Sequence, residues 1–124
     1  MVEIELANRS GEAFDLDAAS EVVRAVLLDE GIEEGEVGLA LVPPEEIRRL
    51  KSEHLGIDEE TDALAFPIDG RDELPVGMPR QLGDVVLCPQ VVRDAWRAPL
   101  VHAVLHLVGY DHGSEMEARE RAHA

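Results

Sequence analysis

Residues 2–7, VEIELA, set Val2, Ile4 and Leu6 against polar neighbours, the two-residue period of a half-buried strand. From Asp17 the period lengthens to a helical one, with Ala18, Val22, Val23, Val26 and Leu27 on one stripe and Gly31 as its stop. EVGLALV, residues 36–42, is apolar enough for a buried strand. Pro43-Pro44 and EEIRRLKSEHLG then predict a helix with proline and acids in its first turn and Gly56 after its last.

The second half continues the alternation and then changes it. TDALAFP, residues 61–67, predicts a short strand ended by Pro67, and a loop rich in Gly, Pro and Asp runs from Ile68 to about Leu82. GDVVLC, residues 83–88, predicts another strand. Pro89 opens a short helical piece, PQVVRDAW, and Pro99 restarts a helix carrying LVHAVLHLV up to Gly109. A polar helix, SEMEARERAHA, follows with Ser114 as its cap. Strands and helices interleave early and helices gather late. The expected class is α+β: one small domain over residues 1–124, a mixed sheet of about four strands packed with helices, and a histidine-bearing helix near the C-terminus.

Length and composition agree with this pattern. At 124 residues the chain supports one core, and no apolar run approaches the roughly 20 residues that span a bilayer. The start, MVEIELANRS, has neither the basic onset nor the apolar core of a signal peptide, and the one cysteine, Cys88, suits a reducing compartment. A cytoplasmic protein with no membrane partner is expected. With 27 acidic against 11 basic residues the net charge is −16, which argues against broad affinity for polyanions, and no DNA partner is expected.

Three of the five histidines crowd into VHAVLHLVGYDH, residues 101–112. His102 and His106 are four apart, so both rings leave the same helix face one turn from each other. Gly109 ends that helix and lets His112 fold back. Three neutral imidazoles on a zinc-type ion leave one coordination position open for water or substrate. As ordinary histidines they would be costly, because the flanking Leu100, Val101, Val104, Leu105, Leu107 and Val108 would bury two of them without partners. His54 and His123, alone on polar helices, read as surface residues. A zinc peptidase with similar spacing carries a glutamate as general base after the first histidine. Here that residue is Ala103, which neither takes nor gives a proton.

VHAVLHLVGYDH resembles the signature H-G-x-L-H-L-x-G-Y-D-H of the YbeY family of metal-dependent endoribonucleases, matching at His102, Leu105, His106, Leu107, Gly109, Tyr110, Asp111 and His112. Ala103 stands where that family usually has glycine. TDALAFP resembles the family's P-T-D-V-L-S-F-P through Thr61, Asp62, Leu64, Phe66 and Pro67, and LGDVVLC resembles its L-G-D-I-x-I-C through Leu82, Gly83, Asp84 and Cys88. The resemblance implies a mixed α/β fold and one zinc ion, or another divalent transition metal, on His102, His106 and His112. It also implies processing of ribosomal RNA, including the 3′ end of the small subunit, a role in ribosome quality control, and the small ribosomal subunit and ribosome-associated proteins as partners. Members commonly have an arginine in a Y-R-G-K-D stretch before the T-D pair; Leu55 takes the place of that arginine and Ile57 that of the lysine. The span from Cys88 to His102 is shorter than is usual.

Around the histidines the roles stay open between chemistry and structure. Asp111 is placed either to accept the outer N–H of a ligand imidazole or to form the turn after Gly-Tyr. Asp84, at the start of a strand leading toward the histidine helix, is a proton acceptor or, preferably, a structural cap. Thr61 and Asp62 read as a backbone turn or as substrate contacts. Arg71 and Arg80 read as solvated loop charges that a phosphate would otherwise use, Trp96 as core before base-stacking platform, and Cys88 as a buried apolar residue before thiolate ligand. Two other function classes share the metal site: a noncatalytic ribosome-assembly or protein-binding module with a structural metal, and a metallohydrolase acting on non-RNA substrates.

Overall fold

The computed structural model describes residues 1–124. The chain runs β1 (Val2–Asn8), α1 (Leu16–Asp29), β2 (Gly35–Leu41), α2 (Pro44–Leu55), β3 (Ala63–Pro67), β4 (Gln81–Leu87), α3 (Pro89–Val92), α4 (Arg97–Leu107) and α5 (Ser114–Ala122). The strands form one sheet in the order β1-β2-β4-β3, with β1, β2 and β4 parallel and β3 antiparallel to β4. This is the expected mixed four-stranded sheet.

Alternation along the strands assigns the two faces. Val37, Leu39 and Val85 join Val22, Val23, Val26 and Leu27 of α1 and Leu100, Val104 and Leu105 of α4 in the main core. Val42, Leu64, Val86 and Cys88 form a smaller cluster with Ile47 on the other face, with Leu50 packed against it. The sheet therefore lies between α1 with α4 on one side and α2 on the other. Ala63 and Ala65 of β3 keep small side chains on the α4 side, where they pack against the main core. Each fully buried leucine of α4 contributes roughly 2–5 kcal/mol, the usual cost of truncating such a residue to alanine.

Some boundaries depart from the sequence expectation for local reasons. Helix α4 starts at Arg97, two residues before Pro99, because Trp96 O already accepts from Leu100 N and a first-turn proline has no N–H to satisfy. The piece after Pro89 is helical only to Val92; Arg93, the one non-glycine residue with positive φ (53°), turns the chain away. Ser114 is not the cap of α5 but its first helical residue, preceded by Gly113, and its side chain makes no capping bond. Strand β3 begins at Ala63, whose N–H donates to Asp62 Oδ1 at 2.7 Å.

Trp96 packs edge-to-face on Phe14 with ring centroids 5.6 Å apart, beside Leu41, Leu87 and Val92. It serves the core at the end of the sheet. Arg80 donates to the carbonyls of Gly70 and Asp72, and Arg71 to those of Val108 and Glu30. Both arginines therefore hold the 68–80 loop in place and are not free solvated charges.

Candidate metal centre

Between Leu100 and Val108 every residue of the α4 segment is buried except His102 and His106, which are half-buried. A helix apolar nearly all round must be enclosed, and the two imidazoles are where this one opens. They line a cleft of about 1070 Å³ together with His112. Its other walls come from α2 (Lys51, Leu55), from β3 and from the 68–72 loop.

The turn that returns His112 is built as expected. Gly109 has φ 101°, a conformation that side chains other than glycine's rarely adopt, and its N–H donates to His106 O while Tyr110 N–H donates to Leu105 O. His112 comes back with its ring centroid 5.1 Å from that of His102 and 4.9 Å from that of His106. One nitrogen from each of the three rings lies within 4.8 Å of the others.

Hydrogen bonds orient the two helical rings. His106 Nδ1 lies 2.8 Å from Tyr110 O. A carbonyl only accepts, so Nδ1 carries the proton and Nε2 presents a lone pair. His102 Nδ1 lies 3.2 Å from Glu120 Oε2, which directs the same tautomer there. The two Nε2 atoms then face each other at 3.2 Å. Nitrogen ligands about 2.0–2.1 Å from a tetrahedral ion are separated by roughly 3.3 Å, so the pair fits one edge of such a site. Burial, above all, and the neighbouring His102 and His112 push the His106 pKa below that of an ordinary imidazole, against the opposing pull of Tyr110 O and Asp111. The shift favours the neutral ring, the form that binds metals.

Asp111 is exposed and does not reach the outer nitrogen of either helical ring; Tyr110 O and Glu120 occupy those positions. Nothing in the sequence pattern marks Glu120, one of several acids on a polar helix eighteen residues from its partner. Asp84 is not brought to the centre either. A Cβ on Gly83 would meet Leu107 of α4, so the next residue points to the opposite face, where the Asp84 carboxylate lies over Gly38. Cys88 is on that far face too, fully buried, and burial pushes its thiol pKa up.

Thr61 and Asp62 line the cleft, but Asp62 is engaged with backbone: its carboxylate accepts from Ala63 and its carbonyl from Cys88 N–H. The cleft's cations are engaged as well. Lys51 pairs with Glu59 at 2.8 Å, and Arg71 reaches Glu30 O and Val108 O. Leu55, 53% exposed, opens onto the same space. Ala103 is 3% exposed within the core, so this structure has no carboxylate where a peptidase base would be. His54 is exposed and rests on Phe66.

His123 is not a surface residue. Its side chain is 8% exposed, with Nε2 at 3.4 Å from Asp29 and 3.6 Å from Glu30. These three side chains also bring ligand-type atoms within 4.8 Å of one another. Arg119, however, already closes on both carboxylates at 2.5 and 2.6 Å, so this group is an ion-pair cluster that fastens α5 to the end of α1.

Comparison with known proteins agrees with this architecture. The family model described as "Endoribonuclease YbeY" matches residues 5–123. An endoribonuclease YbeY of Salinispora tropica is 36% identical, over 94% of this chain and 87% of its own length. That of Rubrobacter xylanophilus is 34% identical, over 98% and 87%. The solution structure of TM1509 from Thermotoga maritima superposes with a TM-score of 0.62 at 25% identity, covering 97% of this chain and 85% of that one. With the match running from the first strand through α5 and enclosing all three clustered histidines, the chain belongs to the YbeY family.

Proposed function

We propose that this protein is a metal-dependent endoribonuclease of ribosomal RNA maturation, with His102, His106 and His112 holding a zinc ion at the floor of its cleft. The observation that carries the reading is the pair of Nε2 atoms facing each other at 3.2 Å in an open cleft, in a chain of this family. A bound divalent ion supplies Lewis acidity, lowering the pKa of water and stabilising charge on a phosphodiester oxygen.

The chain's own residues do the rest. Tyr110 O fixes the His106 ring with its lone pair turned into the cleft, and burial favours the neutral form of that ring. The cleft, about 1070 Å³, has room for a nucleotide segment at the open side of the histidines, since typical small-ligand sites span about 300–1,000 Å³. No cleft residue within the core acts as a general base, Ala103 being apolar, so proton transfer falls to solvent or to groups at the rim such as Asp111. Net charge −16 and engaged cations favour a substrate delivered in a structured setting over capture of free RNA. The small-subunit RNA and its associated proteins, in the cytoplasm, are the partners this implies. No helix is long and apolar enough to cross a membrane.

The test is cleavage of a precursor fragment carrying the small-subunit 3′ end by metal-loaded protein. Turnover is expected to disappear with chelation and with His106→Ala. Turnover indifferent to both, or peptide cleavage faster than that of any RNA, would overturn the reading.

A further inference from the structure

Helix α5 sends one side chain into the histidine cleft, Glu120. Its Oε2 lies 3.2 Å from His102 Nδ1, with both side chains about one-third exposed. The next residue back, Arg119, grips Asp29 and Glu30 at the end of α1, and Glu30 is 3% exposed in its side chain. Glu120 is therefore carried by a helix anchored to the core on one side while it reaches the cleft on the other.

A neutral imidazole holds one proton, and the bond made by one nitrogen decides which nitrogen carries it. His106 has a backbone carbonyl for that purpose, three residues beyond its own helix end. His102 has no such carbonyl, and its outer nitrogen meets only the Glu120 carboxylate among its hydrogen-bond partners there. If His102 carried its proton on Nε2 instead, that N–H would point at His106 Nε2, 3.2 Å away, and block the shared position.

We propose that Glu120 is a positioning residue of the metal centre. It holds the His102 proton on Nδ1 so that Nε2 is free to bind the ion, and α5 is thereby part of the site. This rests on the metal reading of the three histidines. Glu120 is not catalytic in this assignment, because its oxygen meets the ring on the side away from Nε2.

The experiment uses the full chain stripped of metal and titrated with zinc against a chromophoric chelator, alongside Glu120→Ala, Glu120→Met and Glu120→Gln. Loss of such an outer partner weakens metal binding by roughly 10–100-fold, expected for Ala and Met while the metal-free melting temperature stays near that of the parent. Gln, whose amide oxygen still accepts, is expected to lose less. Nitrogen-15 NMR of the metal-free protein is expected to show His102 protonated at Nδ1 in the parent and shifted toward Nε2 in Ala and Met. Met keeps the side-chain bulk and carries the comparison if Ala fails to fold. A zinc-binding parent whose variants bind zinc as tightly and keep the Nδ1 tautomer overturns this proposal alone. A parent that takes up no zinc overturns the metal reading and this proposal with it.

Discussion

The Nε2 atoms of His102 and His106 face each other at 3.2 Å while each ring turns its Nδ1 outward to an oxygen. Two lone pairs at that separation repel unless a cation or a proton lies between them, and burial of His106 opposes the proton. A divalent ion bound between the two nitrogens would be held by the folded chain and not by the unfolded one, so that its binding adds to folding stability.

Metal removal is accordingly expected to lower stability. An ion present at about 1,000 times its dissociation constant stabilises the native state by about 4 kcal/mol, which for a chain of this size corresponds to about 10 °C or more in melting temperature. Thermal scans with and without zinc, after stripping, measure this. His106→Ala should abolish the shift and lower zinc affinity by more than about 100-fold; an undiminished shift in that variant contradicts the assignment.

The three histidines were legible because helical spacing and a helix-ending glycine are local signals. So were the strands whose apolar periods the sheet now uses. What local signals cannot carry is the identity of partners distant in sequence. Glu120 looks like any solvated acid on α5 until it meets His102, and His123 like a surface residue until α5 is laid against Asp29 and Glu30 some ninety positions earlier. Asp84 was legible as a residue of a strand but not as to its face. That depended on β4 lying with Gly83 toward α4, which only the packing decides. Arg71 and Arg80 looked free because their acceptors are backbone carbonyls, which have no sequence signature.

Asp84→Ala is expected to leave zinc affinity and cleavage of naked RNA within about twofold of the parent, since its carboxylate lies over Gly38 on the face opposite α4. Parallel zinc titrations and single-turnover cleavage decide it. A drop in cleavage of a hundredfold or more would return Asp84 to the chemistry.

Gly83 has φ 131°, and a Cβ there would lie 2.2 Å from Phe66 O across the β3–β4 pairing, with Leu107 at 3.0 Å. Backbone and core side chain cannot both yield. Gly83→Ala is expected to cost roughly 3 kcal/mol or more, read by denaturant unfolding. A cost below about 1 kcal/mol would show that the strands can part there freely.

Glu30 links the end of α1 to α5. Burial pushes its carboxyl pKa up, but hydrogen bonds from Tyr110 and Arg119, with the Arg119 charge and His123, outweigh burial and hold it below the ordinary range. Because the folded value is depressed, the contribution is fully present above the unfolded pKa of about 4.3 and is lost as pH falls through the folded value. Glu30→Gln is expected to destabilise by roughly 1–3 kcal/mol at pH 7, with the gap to the parent closing in acid. Urea melts from pH 7 to pH 3 test this, and curves that stay parallel would contradict it.

Leu55 offers a test of how the cleft handles RNA. It is 53% exposed at the end of α2, one helical turn beyond Lys51, and both line the cleft that holds the histidines. Lys51 is neutralised by Glu59, so an apolar side chain stands where a cation would have an open path to a backbone phosphate. Leu55→Arg restores that cation without touching the core, because the leucine is not part of any buried cluster. One added phosphate contact on single-stranded RNA steepens the salt dependence of binding by about 0.7 in log K against log salt. The variant is therefore expected to bind a model RNA several-fold more tightly at low ionic strength, with the advantage shrinking as salt rises and zinc affinity unchanged. Binding isotherms over a salt series measure both slopes. Equal slopes for parent and variant would mean that RNA does not pass over this wall of the cleft.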